Sequence, residues 1–207
     1  PPRQVDAQHR LGSSATHVRL FGGSRSGKTF LAVRRVIVRA IKAPKSRHAM
    51  LRFRFNAIKA SIVYDTFPKV MELCFPGVKW DLNKTDWFVT LPNGSEVWFG
   101  GLDDKERTEK ILGQEYATIF LNECSQIPWS GREMAVTRLA QKVEQVIDGK
   151  PAGDLPLKMI YDENPPDRGH WSYRVFVQKI DPGTKRPLSR PCVAARWCAK
   201  RTASARS

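Results

Sequence analysis

Apolar and polar positions recur along this chain with two different periods, and the period changes from segment to segment. Val18 to Phe21 is a short apolar run ending in Gly22-Gly23, the pattern of a buried strand entering a tight turn. From Phe30 the spacing becomes helical, with Phe30, Val33, Ile37 and Ile41 on one face, and Pro44 closes the helix because it lacks an amide hydrogen. Ala49 to Phe55 predicts a second strand whose Arg52 and Arg54 imply one polar face, and Ala57 to Leu73 predicts a second helix weakened by Pro68. Trp87-Phe88-Val89 and Val97-Trp98-Phe99 flank Pro92-Asn93-Gly94-Ser95, which predicts an antiparallel hairpin. Ala117 to Leu121 and Leu157 to Tyr161 are further short strands, while Arg132 to Ile147 has helical spacing that ends near Gly149. Strands alternating with helices predict an α/β fold: a mainly parallel sheet flanked by helices, with an inserted antiparallel hairpin.

Length and charge refine this picture. A chain of 207 residues holds one sizeable core. The reading places one domain at 1–182 and a basic, disordered tail at 183–207, where no usable periodicity remains. A formal net charge of +15 points to a polyanionic partner, nucleic acid or an acidic membrane surface. Seven basic residues and no acids fall between Gly183 and Ser207, so the body is basic without them. No segment approaches the roughly 20 apolar residues that span a bilayer, and the polar start, Pro1 to Arg10, lacks a secretory pattern. The four cysteines form no Cys-x-x-Cys pair, which suits reduced thiols in a cytosolic protein and gives no basis for a zinc site.

The chemistry concentrates at Gly22-Gly23-Ser24-Arg25-Ser26-Gly27-Lys28-Thr29, which satisfies G-x-x-x-x-G-K-[ST] at every fixed position. Glycines let successive backbone N–H groups face phosphates, Lys28 reaches the β- and γ-phosphates, and the Thr29 hydroxyl ligates Mg²⁺. The helix that starts there adds its positive end. The loop lies between a predicted strand and a predicted helix, the context this chemistry requires. Arg25 has two readings, a cation leaning on the γ-phosphate or a solvated loop charge.

Further along, Thr118-Ile119-Phe120-Leu121 leads into Asn122-Glu123. In phosphate-loop ATPases such a strand ends in two acids, one steadying Mg²⁺ and one polarising the attacking water. Glu123 fits the base, with the capping of the next turn as its alternative. Asn122 can accept a hydrogen bond from a metal-bound water but brings no charge. Either Thr29 and the phosphates hold the metal well enough, or hydrolysis is impaired.

Taken together these residues resemble the N-terminal ATPase domain of the large terminase subunit of tailed bacteriophages. The similarity lies in Arg25-Ser26-Gly27-Lys28-Thr29, in Ile111-Leu112-Gly113 through Phe120-Leu121-Asn122-Glu123-Cys124-Ser125-Gln126, in Leu91 to Ser95 with Phe99-Gly100-Gly101-Leu102-Asp103, and in Asn164-Pro165-Pro166. It covers about Pro2 to Ile180. The resemblance implies a P-loop NTPase fold of the RecA/ASCE type and an ATP- and Mg²⁺-dependent motor that drives double-stranded DNA into a capsid. It implies a portal protein and a small terminase subunit as partners, a homo-oligomeric ring on the portal, and the cytoplasm of the infected host as the location. Asn164 would sense the γ-phosphate and couple hydrolysis to movement, its alternative being a turn residue before two prolines. Gln4, or less well Gln8, would contact adenine. Arg107 lies where some of these motors place an arginine reaching the neighbouring subunit's nucleotide, although Asp103 to Arg107 also reads as a solvated charged segment. Arg52 and Arg54 would contact nucleotide or DNA phosphates, or simply alternate on an edge strand. The family's nuclease domain has no residues left to occupy, so no DNA cutting is expected, and the tail after Pro187 is open to being non-native sequence.

Three rivals stand beside this reading. A helicase-type motor needs a second RecA-like domain, and a small-molecule kinase would not explain the basic surface. A nucleotide-dependent DNA-binding or assembly module that does not hydrolyse ATP is favoured slightly by Asn122.

Overall fold

A computed structural model of the chain describes residues 2–165, 167–188 and 192–197, with side chains for 5–104, 106, 108–165 and 167–188. The elements run α1 (Pro2–Gly12), β1 (His17–Gly22), α2 (Lys28–Lys42), β2 (Arg47–Arg52), α3 (Phe55–Ile58), a π-helical stretch (Lys59–Thr66) and α4 (Phe67–Cys74). They continue through β3 (Asp81–Asn83), β4 (Phe88–Thr90), β5 (Glu96–Gly101), α5 (Lys105–Leu112), β6 (Thr118–Leu121) and α6 (Trp129–Thr137). Last come β7 (Glu144–Ile147), β8 (Lys150–Asp154), β9 (Lys158–Glu163), α7 (Trp171–Tyr173) and β10 (Cys192–Trp197).

Eight strands form one sheet in the order β10-β1-β9-β6-β2-β5-β4-β3. The run from β10 to β5 is parallel, and β4 and β3 are added antiparallel at one edge. Parallel strands covered on both faces must be apolar throughout, and side-chain alternation then divides them between two cores. Met50, Phe120 and Ile160 face a cluster that includes Leu31, Val33, Val36 and Ile37 of α2. Their neighbours Ala49, Leu51, Ile119, Leu121, Met159 and Tyr161 face the opposite cluster, with Ala135 of α6 and Trp171 of α7. Val33, Val36 and Ile37 are wholly buried, and each contributes about 1.5–3 kcal/mol of apolar transfer that pins α2 behind the phosphate-loop turn. The Gly100-Gly101 pair has a packing reason, because a Cβ on Gly101 would stand 2.6 Å from the amide nitrogen of Phe55.

The expected strand, helix and hairpin pattern holds through β6, with four corrections. Arg52 and Arg54 do not alternate on an edge strand: β2 lies inside the sheet between β6 and β5, and Arg52 closes its carboxyl end. The helix expected from Ala57 is drawn out into α3, the π-helical stretch and α4, with Pro68 seated in the first turn of α4 where its missing amide hydrogen is tolerated. The helix expected to reach Ile147 stops at Thr137. Beyond it Arg138 O accepts the Tyr116 N–H at 2.8 Å and the Gln141 N–H donates to Tyr116 O at 3.3 Å, which ties the chain to the start of β6. It then turns back as the hairpin β7–β8, whose Asp148 and Gly149 have φ of 51° and 73°, the two left-handed positions of a type I′ turn. Finally, 183–207 is not structureless throughout, since Cys192–Trp197 pairs with β1 from His17↔Cys192 to Gly22↔Trp197. Val193-Ala194-Ala195 supplies the apolar strand that completes the second side of β1. Residues 198–207 lie outside the described ones.

One buried titratable group makes stability pH-dependent. His48 on β2 is wholly buried, with Ser46 Oγ 2.7 Å from its Nε2, and burial, aided by the charge of Arg39, lowers its pKa to about 3. Between that value and the ordinary 6.5 the unfolded chain binds a proton that the native chain refuses, so stability falls as pH falls through this window. Urea denaturation at pH 7 and pH 5 is expected to differ by about 2 kcal/mol from His48 alone, at about 1.4 kcal/mol per pH unit below 6.5. His48→Gln should remove that part of the slope. An unchanged slope would show that the ring is charged in the native state.

Candidate functional site

The carboxyl ends of β1, β9 and β6 meet the amino end of α2, and the turn between β1 and α2 is the glycine-rich loop. Gly27 takes φ of 85°, a left-handed conformation that a side chain would strain, and α2 starts at the next residue. Arg25 also has positive φ, 56°, and is exposed at the rim. Lys28 is buried and folds back over the loop. Its Nζ donates to Gly22 O at 2.9 Å, Gly23 O at 2.7 Å, Ser26 Oγ at 3.1 Å and Asn164 Oδ1 at 3.4 Å. Burial lowers the Lys28 pKa, against the opposing charges of Asp162 and Glu123. An ammonium group coordinated by loop carbonyls and lacking an ion-pair partner among the described residues is poised for an anion.

Facing the loop stands a group that sequence reasoning missed. Asp162 near the end of β9 is 1% exposed and accepts from Thr29 Oγ1 at 2.6 Å, from the Glu123 N–H at 2.7 Å and from Asn122 Nδ2 at 2.9 Å. Burial raises its pKa, while those donors and the Lys28 charge lower it. Its clue was the acidic pair Asp162-Glu163 at the end of an apolar strand, the same pattern that drew attention to Asn122-Glu123. Asn122 is buried behind it with Oδ1 unpartnered among the described residues.

Glu123 has left-handed backbone angles, φ 47° and ψ 53°, and its side chain makes no capping bond to the turn that follows. Its carboxylate pairs with Arg52 and accepts from Gln126 Nε2 at 3.0 Å. Arg52 therefore touches the candidate base, a contact hidden in the sequence because β2 and β6 are neighbours only in space. Glu163 points away to the far side of the strand, where it pairs with Arg19, nearly as buried as itself, and accepts from Ser172 Oγ at 3.0 Å.

A cleft of about 120 Å³ is bounded by Ser24, Arg25, Lys28, Thr29, Glu123, Asp162, Glu163 and Asn164, and opens beside a wider groove along Ser26, Phe30 and Lys69. The residues from Gly22 to Thr29, Asn122, Glu123 and Asn164 are thus brought together. The side chains of Gln4 on α1 and Arg107 on α5 lie outside the described ones. Hydroxyl and carboxylate oxygens suit a hard divalent cation carried by phosphates. Among the described residues no group of three or more His, Cys, Asp or Glu forms a metal cage.

The family model described as phage terminase large subunit matches residues 14–202, nearly the whole chain. The chain belongs to the phage terminase large subunit family. Among solved structures it is similar to the large terminase of the thermophilic bacteriophage D6E, at 16% identity and a TM-score of 0.71, covering 94% of this chain and 45% of that one. The same D6E protein in complex with ADP matches at 15% identity and a TM-score of 0.69, covering 94% and 44%. The large terminase ATPase domain of Thermus phage P74-26 matches at 15% identity and a TM-score of 0.56, covering 93% and 79%. No curated protein matches the chain. At these identities the structural likeness speaks for the fold, that of terminase ATPase domains, and the chain spans less than half the length of the D6E protein. No helix among the described residues is long and apolar enough to cross a membrane.

Proposed function

We propose that this terminase chain binds and hydrolyses ATP to drive double-stranded DNA into a capsid, working in the cytoplasm of the infected host. The observation that carries this reading is the meeting of Lys28, Thr29 and Glu123 around one cleft at the carboxyl ends of parallel strands. Lys28 and the backbone from Gly23 to Gly27 hold the β- and γ-phosphates and stabilise the charge that builds as the terminal phosphoryl group departs. Mg²⁺ bound with the nucleotide would neutralise phosphate charge, with Thr29 as its hydroxyl ligand and Asn122 behind it. Glu123, once turned from Arg52, polarises the attacking water. Asn164, within 3.4 Å of Lys28 Nζ, is placed to respond when the γ-phosphate leaves. Arg25 at the rim supplies a mobile cation, Gln4 the adenine contact, and Arg107 a reach toward a neighbouring copy in a ring on the portal.

DNA contacts are to phosphates, in keeping with the net charge of +15, so they weaken with salt and carry little sequence preference. Portal protein and small terminase subunit are the protein partners. The second reading, a nucleotide-dependent module without turnover, draws on Asn122 and on the engagement of Glu123 by Arg52.

Phosphate release from Mg²⁺-ATP, with and without duplex DNA, tests the proposal. Lys28→Ala is expected to lower turnover by about 100-fold or more, the scale for removing one donor to transition-state charge. Absence of turnover in the unsubstituted chain, with ATP still raising its melting temperature, would establish the second reading. Absence of both would overturn the nucleotide site.

A further inference from the structure

A nucleotide-bound magnesium ion in a phosphate-loop site is met by the hydroxyl after the loop lysine and by a carboxylate at the end of a nearby strand. Here the strand in question, β6, runs into Asn122, whose amide carries no charge. Yet a carboxylate does stand against Thr29. It comes from β9, which lies between β1 and β6 and pairs with both. In register Leu20 is opposite Asp162, so this side chain sits at the root of the phosphate loop.

Among the described residues, every hydrogen bond to Asp162 comes from a member of the site. One oxygen accepts from Thr29 Oγ1 at 2.6 Å and the other from the Glu123 N–H at 2.7 Å, while Asn122 Nδ2 reaches both, at 2.9 and 3.2 Å. These donors are neutral, and among the described residues no cationic side chain lies within ion-pair distance of Asp162. A carboxylate that is 1% exposed, bonded only by neutral donors and reached by the Lys28 charge only from beyond ion-pair distance is under-compensated, and a divalent cation supplies what is lacking. Asn122 offers the complementary half of the pattern. It spends its amide N–H on Asp162 and leaves Oδ1 without a partner among the described residues, which is the behaviour of a group that aims a neighbour.

We infer that Asp162 is the metal-facing carboxylate of this site, supplied by β9 in place of the acid that β6 lacks, and that Asn122 is the positioning residue that orients it. The inference rests on the nucleotide-binding reading above. It also means that Asn122 is no sign of a failed site: the charge has moved to the adjacent strand. Asp162 and Asn122 are therefore exchangeable as a pair and not singly.

The experiment measures ATPγS affinity of the whole chain in EDTA and again with saturating Mn²⁺, with the EPR spectrum of bound Mn²⁺ as a second readout. The ratio of the two affinities reports coupling between metal and nucleotide and needs no turnover. Asp162→Asn keeps the shape and acceptor oxygen of the side chain, so binding in EDTA should persist. The Mn²⁺ coupling should fall by about 10- to 100-fold, the usual effect of removing a group that supports a bound metal. Adding Asn122→Asp to that variant should restore the coupling and the Mn²⁺ spectrum. Asp162→Asn with coupling unchanged would overturn the inference while leaving the nucleotide site standing. Loss of EDTA binding in the same variant would overturn it too, by assigning Asp162 to the architecture of the loop. An unsubstituted chain that does not bind ATPγS would sink the nucleotide reading and this inference together.

Discussion

Glutamine in place of Glu123 is expected to lower ATP turnover by about 10²- to 10⁴-fold while ATPγS binds as before, the range that general-base catalysis supplies. That corresponds to about 3–5 kcal/mol of transition-state stabilisation. The split follows from position. On the proposed reading Lys28, the loop amides and Thr29 hold the ground-state phosphates, whereas Glu123, which borders the same cleft, acts on the attacking water. The amide keeps the length of the side chain and its bond from Gln126, but it cannot draw a proton from water and gives Arg52 no charge. Single-turnover phosphate release beside equilibrium binding makes the distinction. If turnover survives, the base is another acid at the cleft, and Asp162 becomes the next group to replace.

The second large effect concerns stability. Arg19→Met is expected to destabilise the fold by about 3–5 kcal/mol, because it leaves Glu163 charged and unpaired in the interior. Arg19 and Glu163 have side-chain exposures of 2% and 0%, and the Arg19 guanidinium also lies over the Phe21 ring at 4.6 Å. In a domain of this size such a loss lowers the melting temperature by about 6–20 °C, at about 2–4 °C per kcal/mol. The double variant Arg19→Met with Glu163→Gln should regain a substantial part, since a neutral amide needs no counter-charge and still accepts from Ser172. Urea midpoints of the two variants decide. Equal stability of the single and double variants would show that Glu163 is protonated or hydrated once Arg19 is gone.

The same residues show what was legible in the sequence. The phosphate loop is a contiguous string, its chemistry depends on local spacing, and it could be read directly, as could the Asn93-Gly94 turn between β4 and β5. Asn122-Glu123 was readable as the strand end that serves the site, but its partner Asp162 was not, because it lies forty residues on and meets Asn122 only through the order β1-β9-β6. Arg19 lies inside the run from Val18 to Phe21 that reads as apolar, and nothing there announces that Glu163 pairs with it from β9. The hairpin β7–β8 had a local signal in Asp148-Gly149, but the helical spacing begun at Arg132 masked it. Here periodicity described a helix correctly and then ran past the point where Tyr116 captures the chain.

The pairing of Cys192–Trp197 with the phosphate-loop strand changes where this domain can be cut. A fragment trimmed at 182 would keep every residue of the cleft and still bare one whole flank of β1, a row of amide and carbonyl groups ready to template association with another chain. Solubility of this domain is thus tied to a short stretch that contributes no residue to the cleft.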